Sequence, residues 1–254
     1  MIFSAASWSS NSINAGEITR FIQQNATSTV LNRVISGHPS TLLGQLQSNG
    51  RVILINPNGI LFGAQARIDT QGLVASSLQL RDEDFLAQRW QFTAGQNAGS
   101  VINLGHIQTP QGGQVYLFAP TVENHGVIHT PQGELLLAAG KSILLADSGD
   151  PLLHVVLHNP QDRSLNIGQL LAEQGRIGLF GALVQQNGTI QATRAEQGAD
   201  GKIYLRGQQA TTLGAQSLTQ AAKIDIFTPN GDTTVQGSMN ADSSTTGGEI
   251  TVLG

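Results

Sequence analysis

The sequence predicts an all-β fold, a parallel β-helix, because it combines an internal repeat, short alternating strands and a polar composition with few charges. The segment 103–111, NLGHIQTPQ, returns at 124–132 as NHGVIHTPQ, and Gly105 and Gly126 are 126 − 105 = 21 residues apart. A unit of about 21 residues buries too little apolar surface to fold alone and must stack on copies of itself. At this length per coil, the 254 residues predict about twelve coils around one aliphatic core. A two-sheet sandwich is the alternative, but it does not explain the repeat.

Two recurrent phrases define the predicted strands. Gly-x-apolar-x-apolar begins at Gly113 and again at Gly175, with the period-two alternation of a half-buried strand. The offset of 62 residues between them is interpreted as three coils, and Val115 and Leu135 are predicted in adjoining layers. The second phrase, Asn-(x)-Gly-x-apolar, is expected to turn the chain through positive φ, which Asn and Gly tolerate best. It occurs at Gly105, Gly126, Gly168 and Gly188.

Two segments interrupt the repeat. The charged residues 80–90 predict a short helix or lid, and residues 147–166, with Pro151 and Pro160, predict an extra-helical hairpin insertion. Because the repeat resumes after both, residues 1–254 are predicted to form a single domain.

Composition excludes several classes of function. With 13 Lys and Arg against 17 Asp and Glu, the net charge is −4, which argues against a nucleic-acid partner and a polybasic membrane patch. The chain has no cysteine, so thiol chemistry and Cys-ligated metals are excluded. No apolar run approaches the roughly 20 residues of a membrane-spanning helix, and the N-terminus does not have the pattern of a signal peptide.

Three patterns imitate catalytic or metal sites, and none predicts one. The segment ending in Lys141-Ser142 resembles a phosphate-binding loop but has Leu135 where its first glycine should stand. His154 and His158 have the spacing of a zinc helix in a Val-rich run that favours a strand. A carbohydrate-active β-helix enzyme, the alternative function, would need two carboxylates within about 10 Å of each other. Asp69, Glu123, Glu134, Glu173, Asp225 and Glu249 fall at differing places in the repeat. We therefore predict no catalytic residues, cofactor or metal.

The most distinctive motif is Asn56-Pro57-Asn58-Gly59-Ile60, between two apolar runs. Pro57 fixes φ at the first corner position, and Asn58 and Gly59 are expected to adopt the left-handed values that follow. The motif therefore predicts a tight corner between two strands.

A set of ordered motifs accompanies this corner. It comprises Trp8-x-x-x-x-Ile13, Asn32-Arg33-Val34, Asn56-Pro57-Asn58-Gly59-Ile60, Gly72-Leu73-Val74-Ala75-Ser76-Ser77 and Asn166-Ile167-Gly168. In this set, over nearly the whole chain, the sequence resembles the secretion domain of two-partner-secreted exoproteins of the filamentous haemagglutinin and high-molecular-weight adhesin type.

The resemblance implies a right-handed β-helix with extra-helical hairpins, and a non-enzymatic function in secretion. It implies an outer-membrane β-barrel transporter as partner, whose periplasmic domains recognise this region, and a secreted or surface location on a Gram-negative bacterium. A host-cell receptor or glycan is a further expected partner. By resemblance, Asn56, Pro57, Asn58, Gly59 and Ile60 form the secretion motif, together with Asn32-Arg33. The family's signal peptide and N-terminal cap are expected to be absent, and the chain is expected to be a segment of a longer adhesin.

Overall fold

The structure is a computed structural model that describes residues 3–8, 12–145, 153–156, 161–193, 201–242 and 247–254, with backbone alone at 3–8 and 153–156. It contains one short helix, α1 (Asp82–Leu86), among many strands. The strands in chain order are β1 (Phe3–Trp8), β2 (Ile18–Phe21), β3 (Thr29–Val34), β4 (Ser40–Leu42), β5 (Gln45–Ile55), β6 (Ile60–Phe62), β7 (Arg67–Ser76), β8 (Gln79–Leu80), β9 (Trp90–Thr93), β10 (Val101–Asn103), β11 (His106–Gln108), β12 (Gln114–Ala119), β13 (Thr121–Asn124), β14 (Val127–His129), β15 (Glu134–Ala139), β16 (Ser142–Leu145), β17 (Leu153–Val156), β18 (Arg163–Asn166), β19 (Gln169–Leu171), β20 (Arg176–Gln186), β21 (Thr189–Gln191), β22 (Lys202–Leu213), β23 (Leu218–Ala221), β24 (Lys223–Phe227), β25 (Asp232–Val235), β26 (Ser238–Ala241) and β27 (Glu249–Leu253). Within these described parts, no helix has the length and apolar character needed to cross a membrane.

The main sheet confirms the predicted parallel β-helix, because all its strands pair in parallel with strands of the next coil. On its first face, ten described strands stack in the order β1, β3, β5, β7, β12, β15, β20, β22, β24 and β27. The second face stacks β4, β6, β10, β13, β18 and β25, together with the C-terminal halves of β20 and β22. The third face stacks β2, β11, β14, β19, β21, β23 and β26, together with the N-terminal halves of β5 and β7. Val115 pairs with Leu135 in adjoining layers, as predicted.

The expected number of twelve coils is wrong, because two steps between layers are twice as long as the repeat. The steps from Gly72 to Gln114 (114 − 72 = 42) and from Glu134 to Arg176 (176 − 134 = 42) contain insertions. The offset between Gly113 and Gly175 therefore spans two layers instead of three. An insertion of about one coil length keeps the repeat in phase in the sequence without adding a layer.

The core lies inside the coils, where alternate residues of the central strands, such as β12 and β15, point inward. Val115, Leu117 and Ala119 of β12 are fully buried there, above Leu135 and Leu137 of β15. This column of aliphatic side chains continues through the stack, as the period-two alternation predicts.

The recurrent corner glycines have a different purpose from the predicted one. None of Gly105, Gly126, Gly168 and Gly188 has a positive φ. Instead, a Cβ on Gly126 would lie 2.0 Å from the carbonyl oxygen of Gly105, and one on Gly168 would lie 2.0 Å from that of Gly126. Glycine is required because successive corners approach at backbone distance.

Asparagine side chains form a buried ladder at the same corners. Asn103 donates to Oδ1 of Asn124 at 2.8 Å, Asn124 to Oδ1 of Asn166 at 2.9 Å, and Asn166 to Oε1 of Gln186 at 2.7 Å. All four side chains are fully buried. The ladder satisfies these amides in the dry core and thereby aligns four successive layers.

The two insertions assemble into one antiparallel sheet of order β17-β16-β9-β8. It covers outward-facing apolar residues of the first face, including Ile53, Tyr116 and Phe118, so that a second core forms outside the coils. Phe92 of β9 meets Phe118 edge to face at 5.1 Å. The predicted helix between 80 and 90 is α1, beside this sheet.

The second insertion differs from its predicted limits of 147–166. Its β16 begins at Ser142 and pairs antiparallel with β17, while Arg163–Asn166 is strand β18 of the main sheet and pairs with β13. Residues 163–166, Arg-Ser-Leu-Asn, include a single apolar residue, so the sequence shows no apolar alternation that would mark them as a strand. Residues 146–152 and 157–160 lie outside the described residues.

Candidate functional site

The motif at 56–59 forms the corner between β5 and β6, where the chain passes from the first face to the second. Gly59 donates its N–H to the carbonyl of Asn56 at 2.9 Å, which closes a four-residue turn with Pro57 at its second position. Gly59 has a φ of 109°, as predicted for a left-handed position, whereas the left-handed φ predicted for Asn58 is wrong. The side chain of Asn56 caps the turn from inside, accepting the N–H of Asn58 at 2.9 Å.

Both asparagine side chains hold the preceding coil. Asn56 is fully buried and donates through Nδ2 to the carbonyl of His38 at 2.9 Å and to Oγ of Ser40 at 3.0 Å. Asn58 donates through Nδ2 to the carbonyl of Ser36 at 2.7 Å. The loop from Ser36 to Ser40 is therefore fixed by amides of the next coil. Asn56 and Ser40 are buried, so their hydrogen bond satisfies two polar groups that water does not reach.

The same corner also holds the following coil. Gly99 donates its N–H to the carbonyl of Pro57 at 2.8 Å, and Ile60 donates to the carbonyl of Ser100 at 2.9 Å. A Cβ on Gly99 would lie 2.3 Å from the carbonyl oxygen of Asn58, so this contact requires glycine. The turn thus joins three successive layers, and we call residues 36–40, 56–60 and 99–100 the three-layer staple.

Asn32 and Arg33 lie on β3, which pairs with β5, and neither takes part in the hydrogen bonds of the three-layer staple given above. Asn32 is fully buried and pairs in register with the inward-facing Leu54. Arg33 faces outward, donates to the carbonyl of Leu80 at 2.6 Å and forms an ion pair with Asp82 at 2.8 Å. Arg33 therefore ties the second coil to the first insertion.

The sequence did not indicate the partners of the motif in the neighbouring coils. They are mainly backbone groups, of His38, Ser36, Gly99 and Ser100, and a backbone carbonyl leaves no signature in residue type. The sequence offers one signal: a buried asparagine must pair its side-chain donors and acceptor with nearby groups. This signal indicates that hydrogen-bond partners exist but does not identify them.

The patterns that imitate other sites have ordinary structural explanations. The segment from Leu135 to Ser142 runs from strand β15 to strand β16 rather than into a helix. His154 lies on strand β17, and His158 lies outside the described residues. Among the described side chains, no group of three His, Asp or Glu is arranged to hold a metal ion.

Comparison with known proteins identifies the family. The family model of the TPS secretion domain, the domain of two-partner secretion, matches residues 3–252. The chain belongs to the TPS secretion domain family. The crystal structure of the HMW1 secretion domain from Haemophilus influenzae is similar to this TPS domain, with a TM-score of 0.77 and 28% identity over 92% of this chain and 68% of that one.

Two heme/hemopexin-binding proteins of Haemophilus influenzae are similar in sequence. One, from strain Rd, is 29% identical over 179 residues, which are 68% of this chain and 20% of that protein. Another is 36% identical over 86 residues, or 34% of this chain and 9% of that protein. The TPS domain thus spans a fifth or less of the length of these relatives.

This chain is therefore a TPS secretion domain. Exoproteins of this family are secreted across the outer membrane of Gram-negative bacteria, and membership implies an outer-membrane transporter as partner. The family match supports the secretion-domain interpretation and gives no support to the alternative of a carbohydrate-active enzyme.

Proposed function

We propose that this TPS domain is a non-enzymatic secretion signal that its outer-membrane transporter recognises through periplasmic domains, and that it then seeds β-helix folding outside the cell. The three-layer staple is the start of that folding, and the motif at 56–60 acts by forming it. The observation that carries the proposal is the bonding of one corner to the coils on both sides, through Asn56, Asn58 and Gly99.

A rod that folds coil by coil needs a first pair of layers, because each later coil adds onto an existing edge. The first contacts cost the most chain entropy, and a corner that satisfies several groups in adjacent coils offsets part of that cost. Removing the Asn56 amide leaves the His38 carbonyl and Ser40 without their donor. Loss of a buried hydrogen-bond partner costs about 1–3 kcal/mol.

Refolding kinetics test the seeding role. We expect Asn56→Ala to slow refolding of the chain, because a residue in the folding nucleus transfers its loss of stability to the folding rate. Asn124→Ala is the matched control. Its amide is equally buried and also bonds neighbouring layers, but it lies outside the staple, so it should mainly speed unfolding.

Secretion and binding assays test the transporter. The chain, exported to the periplasm and expressed with a cognate outer-membrane transporter, should reach the medium. Asn56→Ala should reduce the amount of secreted protein more than Asn124→Ala. The unfolded chain should bind the transporter's purified periplasmic domains. An unchanged refolding rate for Asn56→Ala would refute seeding by the staple, and no binding of the unfolded chain would refute recognition.

A further inference from the structure

A surface groove runs along the rod where the third face turns into the first. It has a volume of about 350 Å³ and crosses four consecutive layers, which corresponds to roughly 14 Å at the usual spacing between strands. Its residues are Gly112, Gln114, Gln132, Gly133, Glu134, Gln174, Gly175, Arg176 and Lys202. We call this the corner groove. It lies away from the three-layer staple and takes no part in the secretion function proposed above.

The floor of the corner groove is glycine by necessity. A Cβ on Gly133 would lie 2.1 Å from the carbonyl oxygen of Gly113, and one on Gly175 would lie 2.2 Å from that of Gly133. The absence of side chains at these glycines leaves a trough that crosses the layers.

One wall is a ladder of side-chain amides, two of which stand on residues with the left-handed backbone conformation that non-glycine residues rarely adopt. Gln111 donates to Gln132, and Gln132 donates to Oε1 of Gln174 at 2.8 Å. Gln132 and Gln174 have φ values of 51° and 60°, while Gly112 has the same left-handed backbone in the coil before them, with a φ of 75°. Glycine would relieve the strain at both positions, so the amide side chains have a use that offsets it.

The other wall is an in-register column of Gln114, Glu134, Arg176 and Lys202. Glu134 accepts a hydrogen bond from Tyr116 and lies 3.3 Å from the guanidinium of Arg176, so both charged groups are held in place. Burial, reinforced by the Glu134 carboxylate, raises the pKa of Tyr116, which stays a donor. Lys202 forms no ion pair with any carboxylate that the structure describes. The wall therefore carries one unbalanced positive charge at its end.

We propose that the corner groove binds a linear acidic polysaccharide, with Gln132 and Gln174 bonding its hydroxyl groups and Lys202 bonding a carboxylate. An extended sugar chain repeats its hydroxyl groups along its length, as the coils repeat their amides every 4.8 Å or so. Side-chain amides both donate to and accept from hydroxyls. The ammonium of Lys202 selects an anionic group through a charge-assisted hydrogen bond.

Calorimetric titration of the full chain with hexamers of galacturonate tests this ligand class, with hexamers of neutral β-1,4-glucan and of heparin for comparison. We expect galacturonate to bind and Lys202→Gln to weaken it about tenfold, equivalent to about 1.4 kcal/mol. Lys223→Gln is the matched control. Lys223 is next in the same column but lies beyond the groove and is paired with Glu249, so its change should leave the affinity unaltered.

A second variant removes the amides without harming the fold. Gln132→Gly with Gln174→Gly places glycine where the backbone is already left-handed, so the chain should remain as stable and lose galacturonate binding. Three outcomes would each overturn the proposal: no binding of galacturonate, equal binding of the neutral glucan, or full affinity in both Lys202→Gln and the double glycine variant. Tighter binding of the heparin hexamer, lost in the same variants, would support an acidic ligand bearing sulfate.

Discussion

Replacing Gly59 by alanine should destabilise the TPS domain by about 2–4 kcal/mol. At a φ of 109°, a non-glycine residue is strained by about 1–3 kcal/mol. The new Cβ would also lie 2.9 Å from the carbonyl oxygen of Ser100, the acceptor of the Ile60 N–H. Displacing that carbonyl weakens a hydrogen bond worth about 1 kcal/mol. Because the motif holds the next coil through this bond, the loss falls on the contact between the third and fourth layers.

Thermal unfolding followed by circular dichroism measures the effect. For a chain of this size, 1 kcal/mol lowers the Tm by about 2–4 °C, so Gly59→Ala should lower it by about 4–16 °C. Gly112→Ala is the control for strain alone, since Gly112 has a φ of 75° and no atom near its absent Cβ. It should cost about 1–2 kcal/mol. Equal losses in the two variants would show that close approach to Ser100 does not contribute, and a Tm unchanged by Gly59→Ala would refute the corner geometry itself.

Three further perturbations test other parts of the structure. Asn124→Ala should cost about 2–4 kcal/mol in urea denaturation, because it leaves an amide donor and an acceptor of the ladder unpaired in the core; a loss below 1 kcal/mol would contradict that account. Hydrogen bonding to Arg206 holds the pKa of Asp225 below its ordinary 3.8, so its stabilisation is present above that pH and lost as pH falls below it. Asp225→Asn should flatten this acid dependence, and an unaltered profile would exclude the pair. Arg33→Gln removes the ion pair with Asp82, so amide hydrogen exchange of residues 79–93 should become faster while the strands of the main sheet stay protected. Unchanged exchange at 79–93 would show that Arg33 does not hold the first insertion.

The repeat, the strand alternation and the tight corner at 56–59 could be predicted because each depends on neighbouring residues. Alternation of Val115 and Leu117 with outward residues predicts a strand whatever lies beside it, and Pro57 with Gly59 predicts a turn in any context. The sequence did not predict that an antiparallel sheet covers the outward-facing Tyr116 and Phe118, because the strands of that sheet, β8, β9, β16 and β17, lie in two separate insertions. Counting coils failed for the same reason, since an insertion of one coil length resembles a coil in the sequence.

The amino-acid order by itself determined the class of fold, the length of its coil and the place of its principal turn, since periodicity and turn chemistry are properties of adjacent residues. Tertiary structure decided what that turn is bonded to, why Gly126 must be glycine and which side chains share the corner groove. Those properties depend on backbone groups of other coils, which have the same chemistry in every residue type and so leave no trace in the sequence. They arise only when layers stack within hydrogen-bond distance, about 4.8 Å apart.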